Sequence, residues 1–230
     1  MSGSELLAMT PTFAFEEVVD LLRSILTAHG YAPSVAQTLA TNCASAQRDG
    51  SVSHGIFRMH HYLSTVSSGY VDGHATPILY DVSPGLVRVD ACNEFAQPAI
   101  ACASALLVNK ARHNGIAALA VRNSHHLGAL YLDVEAFATQ GLIALALVNS
   151  APAVAPPGAR KAVYGTNPIA FAVPRVSAPP WSLIKRLQQW LSGMCRLRAN
   201  AGTHCPPAEA LTKVVRQRPT LLRFWTVVRC

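Results

Sequence analysis

The chain has 230 residues, half of them apolar and 13% charged, which is enough for a packed core and too apolar for a disordered polypeptide. Its net charge of +7 raises nucleic acid or an anionic membrane as partners; the distribution excludes both for the body, because residues 1–180 carry 10 Lys/Arg against 11 Asp/Glu and residues 181–230 carry 9 against 1. No apolar run approaches the roughly 20 residues of a membrane-spanning helix, "MSGSELLAMTPTFAFEEVVD" has no basic stretch ahead of an apolar one, and six cysteines without a C-x-x-C pair read as reduced thiols, so a soluble cytoplasmic protein is expected.

In "FAFEEVVDLLRSILTAHG", Phe15, Val18, Val19, Leu22, Ile25 and Leu26 recur at helical spacing and Gly30 supplies a stop. A second helix is expected over Ser34–Ala46 with Ser34 as N-cap, ended by Asp49-Gly50, and a third over Ile56–Ser67, stopped near Gly69. These make residues 1–75 a helical layer. "LVRVD" (86–90) alternates as a strand, and 94–115 reads as a helix with Pro98 near its start and Gly115 at its end. "IAALAVRNS" (116–124) and "LIALALVNS" (142–150) read as buried strands around a helix over Leu130–Gln140, a β-α-β unit. A Pro/Gly-rich loop from 151 leads into a short strand, "IAFAV". The fold class is α/β, a helical layer followed by an α/β domain over 76–180.

Three segments carry polar side chains suited to chemistry. "DGSVSHGIFR" (49–58) delivers Ser53, His54 and Arg58; imidazole donates protons near neutral pH and guanidinium grips carboxylates. A Ser N-cap, a packed His and an Arg on a solvated face would read the same way. "RNSHHLGALYLD" (122–133) lies between a strand and a helix, where parallel α/β proteins collect ligands. His125 and His126 are neighbours whose side chains point apart, and no third ligand stands at a recognisable spacing, so no metal is expected. In "YGTNPIAFAVP" (164–174), Gly165 permits an unusual backbone angle, Thr166 and Asn167 offer donors on a turn and Pro168 starts the strand, as in a purely structural turn. No two glycines are separated by one residue, which excludes G-x-G-x-x-G, and no Walker A loop is present.

Together, "SHG" with Arg58, "NSHHLGAL" and "GTNPIAFAVPR" at these separations resemble the malate/L-lactate dehydrogenase family of NAD(P)H-dependent oxidoreductases, from about Phe15 to Pro180. The resemblance implies that family's own non-Rossmann NAD(P)-binding α/β fold, here incomplete, and so accounts for the missing glycine fingerprint. "SHHLGALYLDVEAFA" is most similar to the branch that reduces cyclic imino acids, Δ1-pyrroline-2-carboxylate to L-proline and Δ1-piperideine-2-carboxylate to L-pipecolate. Malate- or lactate-type 2-hydroxy-acid dehydrogenases are the alternative. By position, the resemblance implies Ser53 as a relay residue, His54 as proton donor, Arg58 as the clamp on the substrate carboxylate and Thr166 as a substrate contact. It implies His126, Leu127, Gly128, Ala129 and Leu130 as contacts to NADPH, with NADH as the alternative, and a homodimer as the assembly.

The chain departs from the family after Pro180. Family members continue with a short strand ending in an Asp followed by Ala-Ser, whose carboxylate completes the relay to the histidine; here "WSLIKRLQQWL" follows, and residues 176–208 contain no Asp or Glu. All three Trp lie beyond residue 180. Reading the codons from Trp181 one base earlier, with suitable synonyms, yields "LVFDQAS". Residues 181–230 are therefore expected to be a frameshifted basic tail, missing a carboxylate near Ile184 and impairing the enzyme. A different class of reading makes "WSLIKRLQQWLSGMCRLR" a cationic amphipathic helix, with Leu183, Leu187, Trp190, Leu191 and Met194 on one face, serving as the interaction module of a non-catalytic protein.

Overall fold

The structure, a computed structural model, describes residues 12–155, 158–186 and 223–229. The chain divides into two units between His74 and Ala75.

In the first unit, helix α1 (Phe15–Ala28) buries Val19, Leu22 and Leu26. Its start is fixed by the Glu17 carboxylate, which accepts from Ala14 N at 2.8 Å and places negative charge at the positive end of the helix. Gly30, at φ +91°, turns the chain after the last residue as the sequence suggested. Helix α2 (Pro33–Arg48) begins with proline at its first position, where the missing N–H has no partner to lose. Ser34 is thus inside the first turn rather than its cap, and Ala32 precedes the helix. The expected third helix is divided. Two single 3-10 turns, Val52–His54 and Ile56–Arg58, meet at Gly55, and only Met59–Ser67 forms an α-helix, α3. Tyr31, buried between α1 and α2, donates its hydroxyl to Tyr62 O of α3 at 2.7 Å, tying the three helices together.

The second unit is one mixed sheet with two helices. Its elements are β1 (Ile78–Ser83), β2 (Leu86–Phe95), α4 (Ala96–Asn114), β3 (Ile116–His125), α5 (Leu130–Ala138), β4 (Leu142–Leu147), β5 (Pro168–Arg175), β6 (Ala178–Arg186) and β7 (Arg223–Arg229). The spatial order is β1-β2-β3-β7-β4-β5-β6. β2 and β3 are adjacent and parallel with α4 as their crossover. β7 runs antiparallel to both β3 and β4, so those two strands share a direction one position apart. β1 was not legible in the sequence because it is an edge strand with no buried residue to impose alternation.

Val89 of β2, Leu119 of β3, Ala144 of β4 and Ala170 of β5 join Leu107 of α4 and Phe137 of α5 in one buried cluster. The helices cover a single face. β4 therefore alternates buried Leu142, Ala144 and Ala146 with half-buried Ile143, Leu145 and Leu147, and is not closed on both sides as its apolar run suggested. Residues 181–186 belong to β6, paired with β5 from Trp181 opposite Val173 to Arg186 opposite Pro168. The start of the amphipathic helix read from 181 is thus a strand, because hydrogen bonding to β5 outweighs the helical spacing; its remainder falls outside the described residues. No helix among the described residues is long and apolar enough to cross a membrane.

Candidate active site

Two polar clusters stand out, one in each unit. The first is built on the 3-10 turns after α2. His54 N donates to Ser51 O at 2.8 Å and Arg58 N to Gly55 O at 2.9 Å, so three candidate side chains ride on two tight turns rather than on a helix face. Ser53 Oγ lies 2.9 Å from His54 Nδ1. The serine hydroxyl therefore serves the imidazole instead of capping a helix. Arg58 is half-buried, and its Nε is buried without a hydrogen-bond partner, an unspent donor beside the dyad. Beyond it, Phe57 meets the His60 ring edge-on with centroids 5.3 Å apart, and the His60 and His61 rings approach to 3.8 Å. Burial, then the charges of His60 and Arg58, push the His61 pKa down and keep that ring neutral at pH 7.

The second cluster gathers at the carboxyl end of β3 and the loop into α5. His126 is almost enclosed, its side chain 5% exposed, with Nε2 2.7 Å from Asp133 Oδ2 and 3.2 Å from Gln97 Nε2. The carboxylate accepts, which places the ring proton on Nε2 and leaves the Gln97 amide nitrogen, itself a donor, as a neighbour and not a hydrogen-bond partner of that atom. His125 turns the other way and meets Asn93 Oδ1 at 2.8 Å. Among the described residues no three potential ligands assemble a metal site. Gly128, Ala129 and Leu130 are buried and Leu127 is half-buried, while His126 leaves only its main chain partly exposed.

Beneath this loop, Asp90 accepts from Cys92 N at 3.0 Å, from Asn123 Nδ2 at 3.0 and 3.1 Å and from Arg122 at 2.8 Å. Burial works to raise the Asp90 carboxyl; those hydrogen bonds and the Arg122 charge outweigh it and hold the pKa below the ordinary carboxylate value. Three residues that bear side chains, Cys92, Asn93 and Asn123, take φ of +52°, +70° and +49° here. Such strain persists only where surroundings enforce it, and it concentrates at functional sites.

Thr166 Oγ1 lies 3.2 Å from Ser150 Oγ, and Asn167 clasps Ser150 twice, through Oδ1 to its N at 3.0 Å and through its own N to Oγ at 3.1 Å. The positive φ expected of Gly165 belongs instead to Asn167, at +41°. Gly165 is needed for close packing, because a Cβ there would collide with the Ser150 carbonyl.

Sequence reasoning singled out Ser53, His54, Arg58, His126 and Thr166, and did not single out their neighbours Asp133, Gln97 and Ser150 or the nearby Asp90. Asp133 had a signal, an acid at the fourth position of the apolar helix "LYLDVEAF" that shares the stretch only with Glu135; the others had none within their own segment.

Residues 13–213 match the malate/L-lactate dehydrogenase family, and the chain belongs to that family. Among its relatives, the Δ1-pyrroline-2-carboxylate/Δ1-piperideine-2-carboxylate reductase of Pseudomonas syringae pv. tomato is 57% identical over 180 residues, 78% of this chain and 52% of that protein. The reductase of the same name from Pseudomonas putida is 53% identical over 192 residues, 84% of this chain and 56% of its own. The crystal structure of Δ1-piperideine-2-carboxylate reductase from Pseudomonas syringae pv. tomato matches with a TM-score of 0.79 at 40% identity, covering 95% of this chain and 82% of that one. The chain spans about half the length of the curated relatives it matches.

Proposed function

We propose that the protein is an NAD(P)H-dependent reductase of cyclic imino acids, acting on Δ1-pyrroline-2-carboxylate and Δ1-piperideine-2-carboxylate in the cytoplasm, with NADPH as the preferred cofactor. The observation that carries the reading is the Ser53–His54 pair at 2.9 Å with the unspent Arg58 donor four residues on, together with relatives at 57% and 53% identity that bear that name.

Arg58 takes the substrate carboxylate in a charge-assisted bond and so orients the imine. When bound, the reduced nicotinamide supplies a hydride to the imine carbon. As the C=N electron pair moves onto nitrogen, His54 delivers the proton that completes the amine. A neutral imidazole would be left anionic by that transfer, so His54 acts as imidazolium, carrying protons on both nitrogens. Its Nδ1–H stays on the ring and donates to Ser53 Oγ, whose own hydroxyl then donates a hydrogen bond to a further acceptor. In the family that acceptor is the carboxylate expected near Ile184. Here Ile184 stands on β6 opposite Ala170, and the sequence offers no carboxylate from 176 to 208.

The loop at the carboxyl end of β3 suits the cofactor, since Arg122 Nε, Ser124 Oγ and Gln97 Oε1 are buried there without hydrogen-bond partners. His126 through Leu130 would hold it, and Thr166 is assigned to the substrate on the family resemblance. A homodimer is the assembly we propose, and light scattering on the purified chain tests it.

The tail beyond Pro180 is, in this proposal, a frameshifted replacement of the family's continuation, which leaves turnover low. Translating the gene downstream of codon 180 in the next frame tests this; absence of a family-like continuation there overturns it. The functional test is a turnover panel of cyclic imino acids and 2-oxo acids with NADPH and NADH, run on this chain and on its frame-restored form. Imine reduction by the restored form should fall by about 10²–10⁴ on His54→Ala. Preference for malate or lactate over the imines in that panel would replace the proposed substrate class.

A further inference from the structure

The loop that presents His54 is held from below by three consecutive grips along the last turns of α2. Ser51 N donates to Ala46 O at 2.8 Å. Cys43 Sγ donates to Gly55 O at 2.8 Å. Gln47 Oε1 accepts from Ile56 N at 3.1 Å. Cys43 and Gln47 are four residues apart and share one face of α2, and between them they engage both main-chain groups of the Gly55–Ile56 peptide bond. Gly55 fits against them closely; a Cβ at that position would stand 3.0 Å from Gln47 Cα and collide with its side-chain oxygen. The peptide that they fix is the joint between the two 3-10 turns, with His54 immediately before it and Arg58 three residues after.

We infer that Gln47 and Cys43 are positioning residues for the proton donor, clamping the Gly55–Ile56 peptide so that His54 Nδ1 stays within hydrogen-bonding reach of Ser53. The inference deepens the proposed reductase reading and rests on it for its functional meaning. Two properties suit the pair to the task. Burial pushes the Cys43 thiol up to about 12, so it remains a protonated donor and is neither a nucleophile nor a competing charge beside the histidine. A 3-10 turn has poorer internal hydrogen bonds than an α-helix, so two such turns in sequence need outside support to hold a side chain within the few tenths of an ångström that proton transfer demands. Both hydrogen bonds run to the main chain, at Gly55 O and Ile56 N.

The test reads the ring itself. In the full chain labelled with 15N-histidine, without substrate and at a pH high enough that the ring is neutral, the Nδ1 and Nε2 shifts of His54, assigned by comparison with His54→Gln, report how strongly one tautomer is enforced. Removing the acceptor (Gln47→Met) or the donor (Cys43→Ala) should make the two shifts converge, as the ring samples both tautomers; Cys43→Ser, which restores a donor, should return them to their wild-type separation. A merely structural role would lower the melting temperature without this ordering of the three variants. Unchanged His54 shifts in Gln47→Met and Cys43→Ala overturn the inference, as does a Cys43→Ser variant indistinguishable from Cys43→Ala. If Gln47→Met loses its far-UV circular dichroism, the Cys43 pair decides alone. Turnover plays no part in this readout. An ordered His54 with no imine reduction by the frame-restored form would sink the proposed reductase function and leave the clamp standing, and the converse holds equally.

Discussion

Asp90 shows how a single side chain ties the second cluster together. Its folded-state pKa is depressed, so the stability it contributes is present above the unfolded value of roughly 4 and is lost as pH falls through the lower folded value. Asp90→Asn should therefore cost about 1–2 kcal/mol at pH 7, given that Arg122 is partly exposed, and nearly nothing at pH 2. Urea midpoints at both pH values check this; an equal loss at pH 2 would remove the carboxylate from the account. The contrast with the first cluster explains what could be read in advance. Ser53, His54 and Arg58 lie within six residues, so their chemistry is visible in one glance at the text. Asp133 and Gln97 reach His126 from positions 7 and 29 residues away, and only the fold closes those distances. The reason assigned to Gly165 was mistaken for a related cause: sequence shows that a glycine is present, and structure shows whether it frees the backbone or makes room for a neighbour.

Helices and strands were legible where burial imposes a period. α1 announced itself through Val19, Leu22 and Leu26, and α4 through Gly115, whose φ of +81° ends it. The third helix was overextended because helical spacing over 56–67 cannot reveal that the first turns are tightened to hold a loop. β1 and β6 were missed for a common reason: at the two edges of the sheet they bury least and so carry the weakest alternation. The same asymmetry predicts mutational cost. Phe137 of α5 is 1% exposed at the centre of the cluster, and Phe137→Ala should cost about 3–5 kcal/mol. Ile116, 52% exposed at the start of β3, should lose under about 0.5 kcal/mol on the same change. Chemical denaturation of both variants tests whether the helix-covered face carries the unit, and comparable losses would argue that it does not.

At the scale of the molecule, composition changes beyond Pro180 and gives no hint of what the sheet does with the chain there, where β6 runs without interruption from Ala178 to Arg186. β7 pairs on both sides, Ile116 opposite Val228 on β3 and Leu142 opposite Arg229 on β4. A chain stopped at residue 186 should therefore present two open strand edges in the middle of its sheet and aggregate at concentrations where the full chain does not. Sedimentation of the two forms side by side checks this, and a monodisperse shorter form would show that the central pairing is dispensable. That position also sets an order of events during synthesis. The strand that joins the two halves of the sheet is separated by about a hundred residues from the β3 residues it meets, so β1 to β3 are synthesised well before their keystone exists, and that part of the nascent chain must wait with its inner edge unbonded. Because backbone ladders define that gap, it discriminates weakly among strand-forming sequences. A run such as "FWTVV" (224–228), whatever its origin, meets the β-branched and aromatic preference the gap imposes.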